Sequence, residues 1–125
     1  MTLCLLLDEH ISPSVAEQIR AKRPEIDVCS IYAWRDGKFA GQTDWDLLDA
    51  LSRDPRVLVT YDKQMLAEWG AIFDGGMPFA GVVFVDRRTI APADTGGLVR
   101  ALIELWDRHR AASWVNRMEW LATAR

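Results

Sequence analysis

The hydrophobic positions of the chain form short continuous runs that alternate with longer segments of helical periodicity. A continuous apolar run bounded by polar residues is typical of a strand buried on both faces of a sheet. The sequence therefore predicts four such strands, at Thr2–Leu7, Ile26–Tyr32, Arg56–Tyr61 and Gly81–Val85.

The segments between these strands carry apolar residues on one helical face and begin with residues that cap helices. Ser12 precedes Pro13 at the start of the first segment, an arrangement that favours a helix N-terminus. In the last segment, Leu98, Leu102 and Leu105 recur at helical spacing. The predicted helices run from Ser12 to about Arg23, from Thr43 to Asp54, from Asp62 to Trp69 and from about Thr95 to Arg110.

Strands that alternate with helices indicate a parallel sheet covered on both faces, because parallel neighbours need crossover connections. We expect a single α/β domain over residues 1–125, a three-layer α/β/α sandwich with a mostly parallel sheet of four or five strands. Residues 33–42 read as a loop, and residues 70–81, with four glycines, as a mobile loop. The tail from Ser113 is open between helix and strand.

Composition narrows the class without naming a function. The chain has 125 residues, half of them hydrophobic and about a quarter charged, which excludes disordered and collagen-like proteins. No apolar run approaches the ~20 residues of a membrane span. Two cysteines, Cys4 and Cys29, are too few for a disulfide scaffold, so a reducing cytoplasm is expected.

Charge is distributed unevenly along the chain. Residues 1–86 carry 14 acidic and 8 basic residues, a net of −6, and residues 87–125 carry 4 acidic residues and 7 Arg, a net of +3. The total of −3 argues against binding of nucleic acid by bulk charge alone. It is compatible with an acidic centre beside an arginine-bearing surface.

Acidic residues follow the predicted strands at the sheet edge where open α/β folds bind ligands. Asp8 follows the first strand, Asp62 the third and Asp86 the fourth, while Asp44 and Asp46 open the helix before the third strand. If the first and third strands are neighbours, Asp8 and Asp62 lie one strand spacing apart, ~4.8 Å. Carboxylates that converge there would need a cation, and hard oxygen ligands suit Mg²⁺ or Mn²⁺. Taken singly, each acid also fits a turn or a helix cap.

Three motifs in the same order resemble the small PIN-like proteins, a compact branch of the PIN nuclease superfamily. They are LLDEH at residues 6–10, GQTD at 41–44 and VLVTYDKQM at 57–65, and the match covers roughly residues 3–86. The resemblance implies a PIN-like fold, with Asp8, Asp44 and Asp62 as metal-binding acids and Thr60 as a supporting polar residue. It further implies an endoribonuclease toxin encoded beside a small antitoxin.

The chain departs from the family pattern at three positions. His10 replaces the usual Asn, and Gln64 and Met65 replace Asp and Phe, so the loss of an outer acid favours one metal over two. The alternative is a catalytically silent PIN-like module that acts through protein partners. A phospho-receiver would need a hydroxyl residue where Asp86 stands and a later Lys, and Lys63 is the last in the chain.

The chemistry that this resemblance implies is the metal-dependent hydrolysis of RNA phosphodiester bonds. Alternation along the strand predicts that Glu9 points away from Asp8 and has a supporting role. Three basic residues of the same edge are candidates for phosphate contacts, or alternatively form a solvated surface: Lys63, Arg87 and Arg88.

Aromatic residues raise two further questions. Trp34 and Phe39, in the predicted loop, either stack on unpaired bases or pack into their own domain. Three of the six tryptophans fall within residues 106–120. The tail residues Trp114, Met118, Trp120 and Leu121 therefore predict a homodimer or antitoxin contact, with packing into the core as the rival.

Overall fold

A computed structural model describes residues 2–41, 44–64, 70 and 79–124, and within the helix that starts at Asp44 it gives no side chains for residues 44, 45 and 48. The described residues form one five-stranded sheet with the order β2-β1-β3-β4-β5, and every pair of neighbours is parallel. The strands are β1 (Cys4–Leu7), β2 (Asp27–Ser30), β3 (Val57–Thr60), β4 (Val82–Phe84) and β5 (Met118–Trp120). The first and third strands are therefore neighbours, which was the condition for bringing Asp8 and Asp62 together.

Three helices lie within the described residues: α1 (Pro13–Lys22), α2 (Asp44–Arg53) and α3 (Thr95–His109). The hydroxyl of Ser12 accepts a hydrogen bond from the Ser14 amide at 3.3 Å, and Pro13 occupies the first turn of α1. Asp94 caps α3 in the same way, because its Oδ1 accepts from the Gly97 amide at 2.9 Å. These side chains satisfy amides that have no partner inside the helix.

The central strands β1, β3 and β4 bury both faces, as their continuous apolar runs predict. Side chains alternate along a strand, so Leu5 and Leu7 enter one hydrophobic cluster while Leu6 enters the other. The first cluster contains the inner residues of α1 and α3, and the second contains Leu47 and Leu51 of α2. Helices thus pack on both faces of the sheet, an α/β architecture compatible with a three-layer sandwich.

Residues 33–42 contain a short 3₁₀ turn, Trp34–Gly37, rather than loop alone. Trp34 is 6% exposed and belongs to the second cluster, with its ring centroid 5.2 Å from that of the half-buried Phe39. Both rings pack into their own domain. The idea that they stack on unpaired bases is wrong for the buried Trp34, because its faces are already covered.

The tail supplies the fifth strand, at the edge of the sheet beside β4. Trp114 and Leu121 are buried in the first cluster, so for these two residues packing into the core is the correct alternative. Gly81, at φ 108°, permits this packing, because a Cβ there would lie 2.7 Å from the Trp114 carbonyl oxygen. Met118 and Trp120 remain about half exposed.

Several predictions fall on residues that the structure does not describe. These are Thr43 as a helix cap, the helix over Asp62–Trp69 beyond Gln64, and most of the glycine-rich loop. Within the described ranges, none of the helices has both the length and the apolar character to cross a membrane.

Candidate functional site

The carboxyl ends of the three central strands carry the candidate acids. The ladder continues one residue beyond β1, because the Asp8 amide donates to the Val59 carbonyl at 3.0 Å. It also continues beyond β4, where the Val85 amide donates to the Thr60 carbonyl at 2.9 Å. These bonds fix the backbones of Asp8, Thr60 and Asp86 at one edge of the sheet.

Asp8 is 8% exposed, which is unusual for a carboxylate. Its Oδ2 accepts a hydrogen bond from the Thr60 hydroxyl at 2.6 Å, and its Oδ1 accepts from the Glu9 amide at 2.8 Å. Among the described residues, no basic side chain forms an ion pair with it. Two neutral donors therefore hold a buried acid whose charge has no cationic partner in the described part of the chain.

Asp62 is connected to Asp8 through the same hydroxyl group. Thr60 Oγ1 accepts from the Asp62 amide at 3.0 Å while it donates to Asp8. The Asp62 carboxylate turns back on its own loop, where Oδ1 accepts from the Gln64 amide at 2.9 Å. This bond forms a turn, which is the alternative role that the sequence allows for Asp62. Its second oxygen, Oδ2, accepts no hydrogen bond from the described residues.

Glu9 fastens neighbouring loops to the site. Its carboxylate accepts from the Gly41 amide, and its carbonyl accepts from the Tyr32 hydroxyl at 3.0 Å. The side chain thus points away from Asp8 toward the segment that leads into α2. Its supporting role in the site stays a prediction.

Asp44 is the first residue of α2, and its side chain lies outside the described part of the molecule. Two residues lie between it and Gly41, so three peptide units join them and its Cα lies at most about 11 Å from that of Gly41. The bond between Gly41 and Glu9 therefore brings the start of α2 near the end of β1. Among the side chains that the structure describes, no group of three or more His, Cys, Asp or Glu residues could hold a metal ion.

An open groove of about 650 Å³ runs along the edge next to Asp62. The residues that line it carry both signs of charge: His10, Tyr61, Asp62, Lys63, Gln64, Asp86, Arg87 and Arg88. All three basic residues predicted to contact phosphates are therefore present, and all three are exposed. The basic side chains of the groove are thus open to solvent.

Asp86 organises the basic side of this groove, a role that the sequence analysis did not assign. Its Oδ1 accepts from the Arg88 amide at 2.8 Å, and its Oδ2 lies 3.6 Å from Lys63 Nζ. The hydrogen bond from Arg88 and the nearby Lys63 ammonium lower the pKa of Asp86. The sequence signal for this role was an acidic residue directly before Arg87 and Arg88. Its carboxylate can bind both the backbone amide and the guanidinium of Arg88.

Tyr61 forms the floor beside Arg87. Its hydroxyl donates to the Ile90 carbonyl at 2.9 Å, and the Arg87 guanidinium lies 5.4 Å from its ring centroid. Burial raises the pKa of Tyr61 to about 12. The neutral ring attracts the Arg87 cation through its quadrupole, in a cation–π contact.

Comparisons with protein-family models, curated proteins and solved structures return no match. The functional interpretation of the site consequently depends on its own residues and on the three motifs quoted above.

Proposed function

We propose that this chain is a PIN-like, metal-dependent endoribonuclease that hydrolyses RNA phosphodiester bonds. The observation that supports it most is the buried Asp8 carboxylate, without a described basic partner, which one Thr60 hydroxyl connects to Asp62. Burial of a carboxylate with two neutral hydrogen-bond donors and no described cation beside it still costs free energy, because neutral donors repay only part of the desolvation of a charge. A bound cation would offset this cost.

The donor set fits Mg²⁺ or Mn²⁺. The oxygens of Asp8 and the Oδ2 atom of Asp62 are hard ligands of the kind that these ions take. The His10 imidazole lines the same groove as Asp62. In this proposal, Asp44 at the start of α2 completes the acidic set. When bound, the ion supplies Lewis-acid stabilisation of a phosphate and lowers the pKa of a water molecule.

The remaining residues of the site have roles in orientation and binding. Thr60 holds the Asp8 carboxylate in one rotamer and the Asp62 backbone in one position, so the two acids are preorganised. Lys63, Arg87 and Arg88 lie along the groove and bind the phosphates on either side of the cleaved bond. The role as the toxin of a toxin–antitoxin pair, with a small antitoxin partner, is supported by the family resemblance.

Cleavage of a mixed RNA pool by the purified chain tests the proposal. We expect cleavage with Mn²⁺ and none in EDTA, and we expect Asp8→Asn and Asp62→Asn each to abolish it. Asp49→Asn is the matched control, because Asp49 is an exposed acid of α2 whose partner Arg53 lies one turn away. All four proteins are first shown to be folded by thermal melting.

Two results would contradict the nuclease. One is equal cleavage by the wild type and Asp8→Asn, which would point to a contaminating enzyme. The other is the absence of both cleavage and any metal effect on stability, which would leave a catalytically silent module that acts through protein partners.

A further inference from the structure

Two exposed aromatic rings stand at the same edge of the sheet as the acids. Tyr32 is 49% exposed and Trp120 is 52% exposed, and they are the large aromatic residues left exposed in the described part of the chain. Six other aromatic rings in the described part of the chain are buried in the core: Trp34, Tyr61, Phe79, Phe84, Trp106 and Trp114. Most aromatic surface is thus buried, and the exception is confined to one edge.

The strand order places these two rings on opposite sides of the acids. Tyr32 lies two residues beyond the end of β2, and Trp120 is the last residue of β5. β2 and β5 are the outer strands, with β1, β3 and β4 between them. Neighbouring strands are ~4.8 Å apart, so the two outer strands are roughly 19 Å apart across the edge.

Both rings make contacts that hold them in place. The Tyr32 hydroxyl donates to the Glu9 carbonyl at 3.0 Å, next to Asp8. The Trp120 centroid lies 5.5 Å from that of Phe84, and Lys63 Nζ lies 5.6 Å from the Trp120 ring. Because these contacts limit the rotamers of both side chains, little further side-chain entropy is lost when a ligand stacks on either ring.

We propose that Tyr32 and Trp120 stack on unpaired bases on either side of the cleaved phosphate. The substrate is then single-stranded RNA that crosses the sheet edge from β2 to β5. This proposal rests on the nuclease function and adds two base-stacking residues to it. Bases in a duplex already stack on their neighbours, whereas unpaired bases present free faces to protein rings.

The surrounding charges support RNA as the occupant of this edge. Lys63 both contacts the Trp120 ring and lines the groove that holds Arg87 and Arg88. Cations at a stacking ring place a phosphate next to the stacked base, which is the pattern of single-strand binding sites. A protein partner, including a second copy of this chain, is the competing occupant of Trp120.

Equilibrium binding to two labelled RNAs tests the proposal. One is an unstructured single strand and the other a hairpin stem of equal length, both measured by fluorescence anisotropy in EDTA, where hydrolysis is suppressed. We expect Tyr32→Leu and Trp120→Leu each to weaken single-strand binding by about 5- to 150-fold, the range for loss of one stacked base. Binding of the hairpin should change less than about twofold.

Conservative variants separate ring stacking from other effects. Tyr32→Phe and Trp120→Phe keep an aromatic face and should bind the single strand nearly as the wild type does. Met118→Ala is the matched control on β5, because Met118 is 48% exposed but is not aromatic. It should leave binding of both RNAs unchanged.

Three outcomes would overturn the stacking proposal. If the Leu variants bind and cleave single strands as the wild type does, the proposal fails while the nuclease stands. If Trp120→Leu instead lowers the mass of the protein in sedimentation and leaves RNA binding unchanged, Trp120 belongs to a protein contact. A wild type that neither binds nor cleaves RNA overturns the nuclease together with this proposal.

Discussion

The Thr60 hydroxyl donates a hydrogen bond to Asp8 Oδ2 at 2.6 Å, between the neighbouring strands β3 and β1, and Thr60 Oγ1 also accepts a hydrogen bond from the Asp62 amide at 3.0 Å. A hydroxyl group can serve both bonds because it is donor and acceptor at once. Thr60 is fully buried, so water does not replace either bond. One side chain therefore couples the ends of two parallel strands.

Replacement of this hydroxyl should destabilise the fold. Thr60→Val keeps the shape of the side chain but leaves the Asp8 carboxylate and the Asp62 amide each without one hydrogen bond. We expect the free energy of unfolding in urea to fall by about 1–3 kcal/mol, the usual cost of an unsatisfied buried polar group. Thr60→Ser retains the hydroxyl and should lose less. Equal stability of Thr60→Val and the wild type would contradict the role given to this bond.

Metal binding should stabilise the wild-type protein and not Asp8→Asn. At a free Mn²⁺ concentration 100 times Kd, binding adds about 2.7 kcal/mol to the free energy of unfolding. For a domain of this size, that gain raises Tm by roughly 10 °C. Asp49→Asn should respond as the wild type does, since Asp49 is an exposed acid of α2. The measurement is thermal melting with and without the ion, and an identical rise in Asp8→Asn would exclude Asp8 as a ligand.

The sequence predicted the central strands well, because their signal is local. Leu5, Leu6 and Leu7 are all fully buried, as a continuous apolar run indicates. β5 gave no such signal, since Met118 and Trp120 are half exposed at the sheet edge. The order of the strands depends on long-range packing. The sequence alone therefore leaves open whether β1 and β3 are neighbours.

The candidate site shows the same division. The positions of Asp8, Asp62 and Thr60 near strand ends could be read from the sequence, whereas their approach to one another depends on the pairing of β1 with β3. The burial of Trp34 could not, because a polar turn follows it directly in the chain while its contacts lie in the distant cluster of β1, β3 and β4. The part of Asp86 in positioning Lys63 likewise depends on a contact between residues of different loops.

RNA binding should lose salt dependence when single basic residues of the groove are removed. Lys63→Met and Arg87→Met each delete one phosphate contact and should lower the slope of log K against log[salt] by about 0.7 for a single strand. Lys22→Met is the control, because Lys22 ends α1, whose chain leads to the amino end of β2, at the opposite edge from the groove. Titrations at three or more salt concentrations give the slope. A slope as steep in Lys63→Met as in the wild type would place Lys63 off the RNA path.

The ion pair between α1 and α3 should make the stability of the fold depend on acid pH. Arg23 donates two hydrogen bonds to Asp107, at 3.0 and 2.7 Å, and this pairing lowers the pKa of the Asp107 carboxyl. A carboxyl with a depressed folded-state pKa stabilises the protein above its unfolded-state pKa of about 3.9. That contribution is lost as the pH falls through the lower folded-state value.

Urea unfolding between pH 6 and pH 2 measures this effect. We expect the wild type to be more stable than Asp107→Asn at pH 6, and the gap between them to close as the pH falls below about 3.9, because the wild-type carboxyl becomes neutral. Arg23→Met removes the other half of the pair and should reduce the dependence of the free energy of unfolding on pH to a similar extent. The double variant should reduce this dependence no further. A gap between the wild type and Asp107→Asn that stays constant over this range would show that Asp107 contributes by packing alone.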